Sequence, residues 1–277
     1  MKAEINYEKR MQLQQRIKQR LQQITEKDCI VAFSGGVDSA LLLKMTCEAA
    51  EGNGTKVYAV TMQTKLHPVN EIAHAKAVAE EIGAEHLVLA VDELAEAGIE
   101  QNPKDRCYRC KKHFFIRIKE QAAELHVEQI LEGTNADDLQ MYRPGLQAIR
   151  ELGICSPLAE AGLTKREVRE LAGLYGLSVS DRPATPCLAT RFPYDTPLSY
   201  EEMKRVEVGE TYLRSLGFYN VRLRVHNEIV RIEVDENYFE KIIKTRKEII
   251  SFLKDAGFAY VTIDLEGFRS GSMDLFL

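Results

Sequence analysis

The segment AFSGGVDSALLLK has the residue types and the spacing of an anion-binding loop. An apolar run ends at Ser34, Gly35 and Gly36 follow, and a helical pattern begins at once around Asp38 and Ser39. Glycines let a backbone approach an anion closely, while the N–H groups and the dipole of a new helix stabilise negative charge. The two serine hydroxyl groups would add donors. The sequence therefore predicts a phosphate-binding loop.

The spacing of this loop separates it from two common nucleotide-binding motifs. No lysine follows the glycines as in a Walker A loop, and the G-x-G-x-x-G dinucleotide fingerprint is missing. The loop resembles S-G-G-x-D-S, the PP-loop of the ATP pyrophosphatase superfamily. That resemblance implies that it holds the β and γ phosphates of ATP while a substrate oxygen attacks the α phosphorus. The alternative is a glycine-rich turn in which Asp and Ser cap the helix.

A second polar segment, LEGTNADDLQMYRPG, follows another predicted strand. Gly133 at the end of this strand is a candidate nucleotide contact, and four short polar residues come after it: Thr134, Asn135, Asp137 and Asp138. Carboxylates suit Mg²⁺ shared with ATP phosphates, so Asp38 and Asp137 are candidate magnesium ligands. An Asx-rich turn that caps a helix is the alternative.

Two cysteines lie three residues apart in the basic segment PKDRCYRCKKHFF. The spacing of Cys107 and Cys110 permits half a zinc site, a redox pair, two ligands of an iron–sulfur cluster, or two ordinary thiols. A zinc site that adds Cys187 and a fourth ligand such as His113 is also possible. The other cysteines are predicted to be structural: Cys29, Cys47 and Cys155.

The elements that must position these residues alternate between strand and helix. Strands are predicted at CIVAFS, KVYAVTM, HLVLAVD and EQILEGT, and helices at DSALLLKMTCEAA, VNEIAHAKAVAEEIGA, HFFIRIKEQAAELH and TKREVRELAGLYG. An amphipathic helix precedes them, with Met11, Ile17, Leu21 and Ile24 near one face. This order predicts an α/β domain at residues 1–190, with a parallel sheet that helices cover on both faces.

The pattern changes near residue 190 to that of a smaller α+β domain at residues 191–277. PLSYEEMKRVEVGETYLRSLGF and YFEKIIKTRKEIISFLKDAGF are predicted helices, VRLRVH and IVRIEVD form a hairpin around NE, and YVTIDL is a last strand. Alternation along VRLRVH places Arg222 and Arg224 on one face, where two guanidinium groups would suit a phosphate. Solvent-facing arginines that pair with Arg231 or Glu233 are the alternative.

The composition is that of an ordinary globular protein. The chain has 277 residues, 45% hydrophobic and 29% charged, and a formal net charge of -5. An acidic chain would need a local basic patch to hold a nucleic acid, so no nucleic-acid partner is expected. No apolar stretch approaches the roughly 20 residues that span a bilayer, and the N-terminus lacks an apolar signal core. We therefore expect a cytoplasmic protein without a membrane partner, whose six cysteines are not disulfide-bonded.

Several motifs outside the loop point to one family. MYRPGL, CLATRFPY, YLRSLGF, VRLRVHNEIVRIEV and YVTIDLEGFRSGSM resemble the LarE family of ATP-dependent sulfur transferases, which build the nickel-pincer nucleotide cofactor. The resemblance extends from about residue 10 to the end of the chain. It implies that the carboxylates of pyridinium-3,5-biscarboxylic acid mononucleotide are adenylated, and that sulfur then displaces AMP to give thiocarboxylates.

The resemblance also assigns roles to the cysteines. In one branch of the family a single cysteine, at the position of Cys187, gives up its own sulfur. In another branch three cysteines hold a 4Fe-4S cluster that carries sulfide, and the presence of Cys107 and Cys110 besides Cys187 places this chain with that branch. The sacrificial use of Cys187 stays open as an alternative.

Further roles follow from the resemblance alone. Arg222 and Arg224 would bind the substrate phosphate, and Glu210 and Arg191 match active-site positions. The family also implies a homo-oligomer, a hexamer built from trimers, and leaves the sulfide source unknown. A tRNA thiolase with a PP-loop and a three-cysteine cluster, and a non-catalytic ATP-binding or iron–sulfur protein, are the rival functions.

Overall fold

The computed structural model describes residues 2–141, 143–183, 185–269 and 272–273. Tyr142 of the MYRPGL motif, and Ser270 and Gly271 of the C-terminal motif, lie outside the described residues. The chain forms two compact units. The first comprises Met1–Thr64, Val69–Asp92 and Cys107–Ala184, and the second comprises Lys65–Pro68, Glu93–Arg106 and Thr185–Leu277. The domain boundary placed after residue 190 from the sequence stays a prediction.

The regular elements follow one another in this order. The strands are β1 (Cys29–Ala32), β2 (Val57–Gln63), β3 (Glu85–Ala90), β4 (Gln129–Leu131), β5 (Val221–His226), β6 (Ile229–Val234) and β7 (Tyr260–Ile263). The helices are α1 (Lys2–Ile24), α2 (Val37–Asn53), α3 (Asn70–Ile82), α4 (Glu93–Glu96), α5 (Arg106–Glu124), α6 (Gly145–Glu151), α7 (Pro157–Glu160), α8 (Lys165–Leu174), α9 (Tyr200–Ser215) and α10 (Phe239–Asp255). Short 3₁₀ turns cover Asp137–Gln140, Leu188–Arg191 and Glu236–Tyr238. Among the described residues, no helix has both the length and the apolar character needed to cross a bilayer.

The first unit is built on a parallel four-stranded sheet with the strand order β3-β2-β1-β4. Strand β1 is central and pairs in parallel with β2 and β4, so that Cys29 lies opposite Val57 and Gln129. All strands of this sheet run in the same direction, since β2 and β3 are also parallel. The predicted α/β domain with a parallel sheet is confirmed.

Both faces of this sheet are packed. Cys29 and Val31 belong to one hydrophobic cluster, to which α1, α2 and α8 contribute, whereas Ile30 between them belongs to a second cluster. Phe115 and Ile118 of α5 pack in the second cluster. Successive side chains of a strand point to opposite faces, so a continuous apolar strand such as CIVA needs cover on both.

Helix α1 packs through the predicted face, except at Met11. Met11 is 47% exposed, whereas Leu13 is 6% exposed and Ile17 and Leu21 are fully buried. Residues 13, 17 and 21 recur every four positions and share one face, but position 11 is turned away from them. The prediction for Met11 was wrong.

Helix α5 begins earlier than its periodicity predicts. The sequence placed the start near His113, but the helix begins at Arg106, whose backbone N–H donates to the carbonyl of Pro103 at 2.9 Å. No glycine or proline interrupts the segment after Pro103, so nothing prevents the basic run from being helical. Both Cys107 and Cys110 therefore lie in the first turns of a helix.

The second unit contains the predicted hairpin, helices and last strand. Strands β5 and β6 are antiparallel around Asn227, which has a φ of 56°, and β7 adds in parallel to β6. Helix α9 begins after Ser199, whose side chain accepts the N–H of Glu202 at 3.1 Å. A Cβ atom on Gly209 would lie 2.5 Å from Leu223 Cδ1, so α9 packs tightly on β5.

Candidate functional site

The predicted phosphate loop joins β1 to α2. Gly35 has a φ of +71°, in the left-handed region that favours glycine, and a Cβ atom there would lie 3.0 Å from the Cα atom of Ala75. Gly36 comes directly before α2, and its carbonyl accepts the N–H of Ala40 at 2.9 Å. The first glycine is thus required both by conformation and by the close approach of α3.

Two hydroxyl groups connect the ends of this loop. The Oγ atoms of Ser34 and Ser39 lie 3.1 Å apart, and Ser39 Oγ donates to the carbonyl of Gly36 at 3.1 Å. The N–H of Gly36 points to Ser34 Oγ at 3.4 Å. These bonds are between neutral groups and within the loop, so an arriving phosphate can replace them with stronger charge-assisted ones.

The end of β4 packs directly on the start of α2. A Cβ atom on Gly133 would lie 2.9 Å from the backbone nitrogen of Ser39 and 3.1 Å from the carbonyl carbon of Asp38. Backbone atoms cannot move aside as a flexible side chain does, so only glycine fits here. The structure thus brings Gly133 to the loop residues.

The carboxylate of Asp38 has donors on both oxygens. Asn135 Nδ2 donates to Oδ1 at 3.1 Å, and the ammonium group of Lys165 forms an ion pair with Oδ2. Sequence reasoning singled out Asp38 and Asn135 but missed Lys165, which is distant in sequence. Its signal was the capping box of Thr164 and Glu167, which starts α8 at Lys165 and so fixes its place.

The remaining acidic residues of the second polar segment already have partners within the first unit. Asp137 Oδ2 accepts the N–H of Lys165 at 2.9 Å, and Asp138 forms an ion pair with Arg143 at 2.9 Å. Asn135 Oδ1 accepts the N–H groups of Asp137 at 3.0 Å and Asp138 at 3.2 Å. The Asx-type turn is therefore present, and it also carries Asn135 to the loop.

The cysteine pair lies on one face of α5. Cys107 is exposed and Cys110 is half-buried, and residues three apart are neighbours on a helix. Helix α6 packs closely on this turn, because a Cβ atom on Gly145 would lie 2.9 Å from Lys111 Cδ and 3.5 Å from the Cys107 carbonyl oxygen.

A buried glutamate connects the cysteine turn to the nucleotide loop. Glu132 is 5% exposed and accepts hydrogen bonds from Lys111 Nζ at 3.3 Å, from Thr134 Oγ1 at 2.8 Å and from the hydroxyl of Ser156. It directly precedes Gly133. The carboxylate of Glu132 therefore links Lys111, which follows Cys110, to the end of β4, where Gly133 packs on the nucleotide loop.

Cations near the cysteine pair in sequence have other partners. Arg106 donates to Asn102 at 2.7 Å and lies 4.5 Å from the ring centroid of Tyr194, both within the second unit. Lys112 donates to Glu151 at 2.9 Å and to Tyr108 at 2.7 Å. The charge of Lys112 is thus paired with a carboxylate, whereas the guanidinium of Arg106 is held by these neutral groups.

In the second unit, Cys187 precedes the 3₁₀ turn that ends at Arg191. Cys187 is half-buried, and its carbonyl accepts hydrogen bonds from Thr190 Oγ1 at 2.7 Å and from Arg191 Nη1 at 3.3 Å. Arg191 is 1% exposed and forms two parallel bonds with Glu210, at 2.7 and 3.0 Å. Such a fork fixes both side chains and, through Arg191, the backbone of Cys187.

Glu210 is fully enclosed rather than on a helix surface. It also accepts Arg214 Nη2 at 2.7 Å and the N–H of Leu223 at 3.1 Å. Burial by itself would raise the pKa of Glu210, but the charge and hydrogen bonds of Arg191 and the charges of Arg222 and Arg214 outweigh it and hold the pKa below its usual range. The carboxylate is therefore ionised.

Two further arginines complete what we call the arginine cluster: Arg191, Arg214, Arg222 and Arg224. Arg224 is 5% exposed and donates to Glu233 at 3.0 Å and to the Thr190 carbonyl at 2.8 Å. A pair with Glu233 was the alternative prediction from the sequence. The pair is present, but it is buried within the unit and does not face solvent.

Arg222 differs from the other members of the arginine cluster. It lies 5.2 Å from the ring centroid of Phe268 and donates to the carbonyl of Val221, and no carboxylate among the described residues forms an ion pair with it. Burial, followed by repulsion from Arg191, lowers the pKa of Arg222 to about 10. The negative charge of Glu210 acts in the opposite direction but does not outweigh the burial and the neighbouring arginines.

Comparison with known proteins identifies the family to which this chain belongs. A family model described as a PP-loop domain matches residues 9–151. The pyridinium-3,5-bisthiocarboxylic acid mononucleotide synthase of Lactiplantibacillus plantarum is 40% identical over 244 residues, which cover 88% of each chain. The chain belongs to the LarE family. An uncharacterised protein of Synechocystis is 38% identical over 247 residues, covering 88% of this chain and 91% of its own.

Membership of the LarE family makes the chain an ATP-dependent sulfurtransferase with a PP-loop. A tRNA-specific 2-thiouridylase of Rickettsia bellii is 26% identical over 193 residues, covering 56% of this chain but 51% of its own. This match is shorter and weaker than the match to the synthase.

The thiols of this LarE-family chain fall into two groups. Burial raises the pKa of Cys29 to about 12 and that of Cys47 to about 11, and it also raises the pKa of Cys155. These three pack in or against the core. Because the thiolate is the reactive and metal-binding form, they are poor ligands or nucleophiles. None of the six cysteines, all of which the structure describes, forms a disulfide.

Metal ligands are sparse among the residues that the structure describes. No three His, Cys, Asp or Glu side chains there come together as a metal-binding group. Mg²⁺ is commonly held by one or two carboxylates together with substrate phosphates, so Asp38 and Asp137 fit an ion that arrives with ATP. A 4Fe-4S cluster is held by cysteine thiolates, and Cys107 and Cys110 have the spacing of two neighbouring ligands.

Proposed function

We propose that this protein adenylates the carboxylates of pyridinium-3,5-biscarboxylic acid mononucleotide and converts them to thiocarboxylates. The observation that carries the proposal is the tightly packed loop of residues 34–39 against Gly133 and Asn135, in a chain that matches the named synthase over 88% of both lengths. The loop activates a carboxylate by ATP, and the relative's name gives the product.

In the first step, a substrate carboxylate oxygen attacks the α phosphorus of ATP. An acyl adenylate forms and the bond to the β phosphate breaks, with pyrophosphate as the leaving group. Ser34, Gly35, Gly36 and Ser39 hold the departing phosphates with N–H and hydroxyl donors, whose dipoles stabilise the developing charge. Asp38 and Asp137 are the residues that would hold Mg²⁺, which when bound would offset this charge.

In the second step, a sulfur nucleophile attacks the acyl carbon and AMP leaves. Cys107, Cys110 and Cys187 are the residues that would hold a 4Fe-4S cluster, which when bound would supply this sulfur from exogenous sulfide. The helix turn of Cys107 and Cys110 is fixed by Gly145 and by the Lys111–Glu132 pair. Two rounds give the bisthiocarboxylate.

The arginine cluster would bind the phosphate of the mononucleotide. Arg222 and Arg224 are the proposed ligands, and Arg222 is the one that forms no ion pair with a carboxylate among the described residues. Glu210 holds Arg191 and Arg214 in place and prevents their mutual repulsion. Arg191 then positions Cys187 through its carbonyl.

Metal analysis of the protein purified without oxygen tests the sulfur source. Iron, acid-labile sulfide and zinc are measured in the wild type, in Cys107→Ala, Cys110→Ala and Cys187→Ala, and in the core control Cys155→Ala. We expect about four irons per chain, lost in the first three variants and kept in the control. Zinc or no metal, with Cys187 lighter by one H₂S after turnover, would establish the sacrificial cysteine instead.

Product analysis tests the reaction itself. ATP, Mg²⁺, sulfide and the dicarboxylate mononucleotide should give AMP, pyrophosphate and a product in which sulfur replaces oxygen, detected by mass spectrometry. A tRNA thiolase would instead incorporate sulfur into tRNA and bind it with a steep salt dependence. Binding of ATP without AMP formation would indicate a non-catalytic protein.

Assembly is a separate part of the proposal. Family membership supports a homo-oligomer, with a hexamer as the expected form. Light scattering coupled to size exclusion should give a mass near six times that of the 31.4 kDa chain. A monomer mass at micromolar concentration would contradict it.

A further inference from the structure

His74 of helix α3 is hydrogen-bonded to the nucleotide loop. Its Nε2 atom lies 3.1 Å from the carbonyl oxygen of Gly35. A carbonyl oxygen can only accept, so Nε2 carries the proton and donates it. The same ring borders the glycine, because a Cβ atom on Gly35 would lie 3.3 Å from His74 Cδ2. The fold thus brings a side-chain donor to the loop from 39 positions away in the sequence.

This hydrogen bond fixes which way the peptide between Gly35 and Gly36 faces. In a trans peptide the carbonyl and the following N–H point in opposite directions, and none of the described peptide bonds is cis. The carbonyl of Gly35 points to His74, so the N–H of Gly36 points to the other side of the loop. It faces Ser34 Oγ at 3.4 Å, a weak contact that an anion can replace.

The peptide needs such a bond because it lies between two glycines. A flip by about 180° would turn the Gly35 carbonyl to the ligand side and take the φ of Gly36 from -81° to about +100°. Glycine adopts positive φ about as readily as negative φ, and neither residue has a Cβ atom to oppose the flip. A flipped peptide would present a carbonyl oxygen, instead of an N–H donor, to the phosphates.

We propose that His74 is a positioning residue, which holds the Gly35–Gly36 peptide so that the N–H of Gly36 is directed at the phosphates that leave as pyrophosphate. This inference rests on the proposed function, in which the loop holds the β and γ phosphates of ATP. The imidazole lies on the carbonyl side of the peptide, opposite the N–H that receives the ligand. It therefore acts on phosphate binding only through the backbone.

Calorimetric titrations of the full chain with three ligands test this role. The ligands are Mg²⁺ with α,β-methylene-ATP, Mg²⁺ with pyrophosphate, and AMP. In His74→Leu, which has no donor, we expect affinity for the first two ligands to fall about 3- to 10-fold, with AMP affinity unchanged. His74→Gln should recover most of the loss, because its Nε2 atom can replace the imidazole donor. The control is Lys76→Met, on the same helix and 68% exposed, which should change none of the three affinities.

A second substitution tests whether the histidine acts by preventing the flip. Gly36→Ala tolerates the present φ of -81°, and its Cβ atom would meet Ser34 Oγ at 3.4 Å, but alanine disfavours the positive φ of the flipped peptide. The alanine would therefore hold the peptide without help from His74. In the Gly36→Ala background, we expect His74→Leu to lower pyrophosphate affinity by less than about twofold. His74→Asn, whose shorter amide does not reach the carbonyl, gives the same comparison if the leucine variant does not fold.

Four results would overturn the inference. They are unchanged pyrophosphate affinity in His74→Leu, equal losses for pyrophosphate and AMP, no recovery in His74→Gln, and an undiminished loss in the Gly36→Ala background. Failure of the proposed function would look different: wild type would make no thiocarboxylate, while the contrast between pyrophosphate and AMP persisted.

Discussion

The nucleotide loop of the first unit and the arginine cluster of the second, both of which we propose bind phosphate, are built in opposite ways. The loop uses backbone N–H groups and the neutral hydroxyls of Ser34 and Ser39, which bond to one another. The arginine cluster uses full charges, and its Arg191–Glu210 pair is almost completely buried. The loop can change its hydrogen bonds when a ligand arrives, whereas the buried pair is set during folding.

This difference follows from the cost of exposing or moving each kind of group. Separating a buried ion pair leaves a charge in a medium of low dielectric constant, which is far more costly than replacing a hydroxyl contact. The arginine cluster is thus rigid, and Arg222 is its member without an ion pair to a described carboxylate, which we propose binds the substrate phosphate. The loop is adaptable, and its precision comes from close backbone packing at Gly35 and Gly133.

The largest effect should come from neutralising the buried carboxylate of the arginine cluster. Glu210→Gln keeps the shape but leaves Arg191 and Arg214 without their anion, so the free energy of unfolding should fall by about 3 to 5 kcal/mol. Urea denaturation measures this free energy. Glu201→Gln, whose side chain on the same helix is 85% exposed, should change stability by less than about 0.5 kcal/mol. Equal effects of the two variants would show that the cluster is not rigid.

A smaller loss is expected from crowding the nucleotide loop. In Gly133→Ala the new methyl group meets the Ser39 backbone nitrogen at 2.9 Å, so unfolding should become easier by about 1 to 3 kcal/mol, with ATP affinity lost as well. Gly173→Ala is the matched control, since a Cβ atom there meets nothing within 4 Å and alanine favours helix α8. Full ATP binding by Gly133→Ala would contradict the importance of close packing.

Removing Arg222 should separate binding from stability within the arginine cluster. Arg222→Met should weaken binding of the mononucleotide about 10- to 100-fold without lowering the free energy of unfolding, because the guanidinium forms no ion pair with a carboxylate among the described residues. Fluorescence or calorimetric titration and urea denaturation give the two values. Arg246→Met, an exposed position on α10, serves as control and should change neither. A large stability loss in Arg222→Met would make it a structural residue.

The smallest expected effect is the dependence of stability on pH in the acid range. The pKa of Glu210 is lower in the folded chain than in the unfolded one, so its stabilisation is complete above the unfolded value and is lost as pH falls through the folded value. Urea midpoints below pH 4.5 should therefore fall more steeply for the wild type than for Glu210→Gln. Parallel slopes would show that Glu210 does not couple to protons.

The sequence predicted best those features that depend on neighbouring residues. The S-G-G-x-D-S loop, the parallel strands and the hairpin all follow from short-range patterns, and the structure and the family confirm them. The start of α5 was missed because a basic run without apolar periodicity gives no helical signal. Short helices such as Gly145–Glu151 were missed because they are too brief to show a period.

Contacts between distant segments could not be read from the sequence. Lys165 meets Asp38 only because α8 begins beside α2, and Glu210 meets Arg191 only because a 3₁₀ turn packs on α9. Each is an ordinary residue of a helix start or helix surface when considered alone. The topology of the fold, and not local sequence preference, decides which charged residues become desolvated and form an ion pair.

The hydrogen bond from Lys111 to Glu132 attaches the cysteine turn to the same strand end that packs on the nucleotide loop. The end of β4 holds both the nucleotide loop, through Gly133, and the cysteine turn, through Glu132. An error in the length of that strand end by one residue would shift both at once and in the same direction. The nucleotide loop and the cysteine turn are therefore held in register with each other by one strand end.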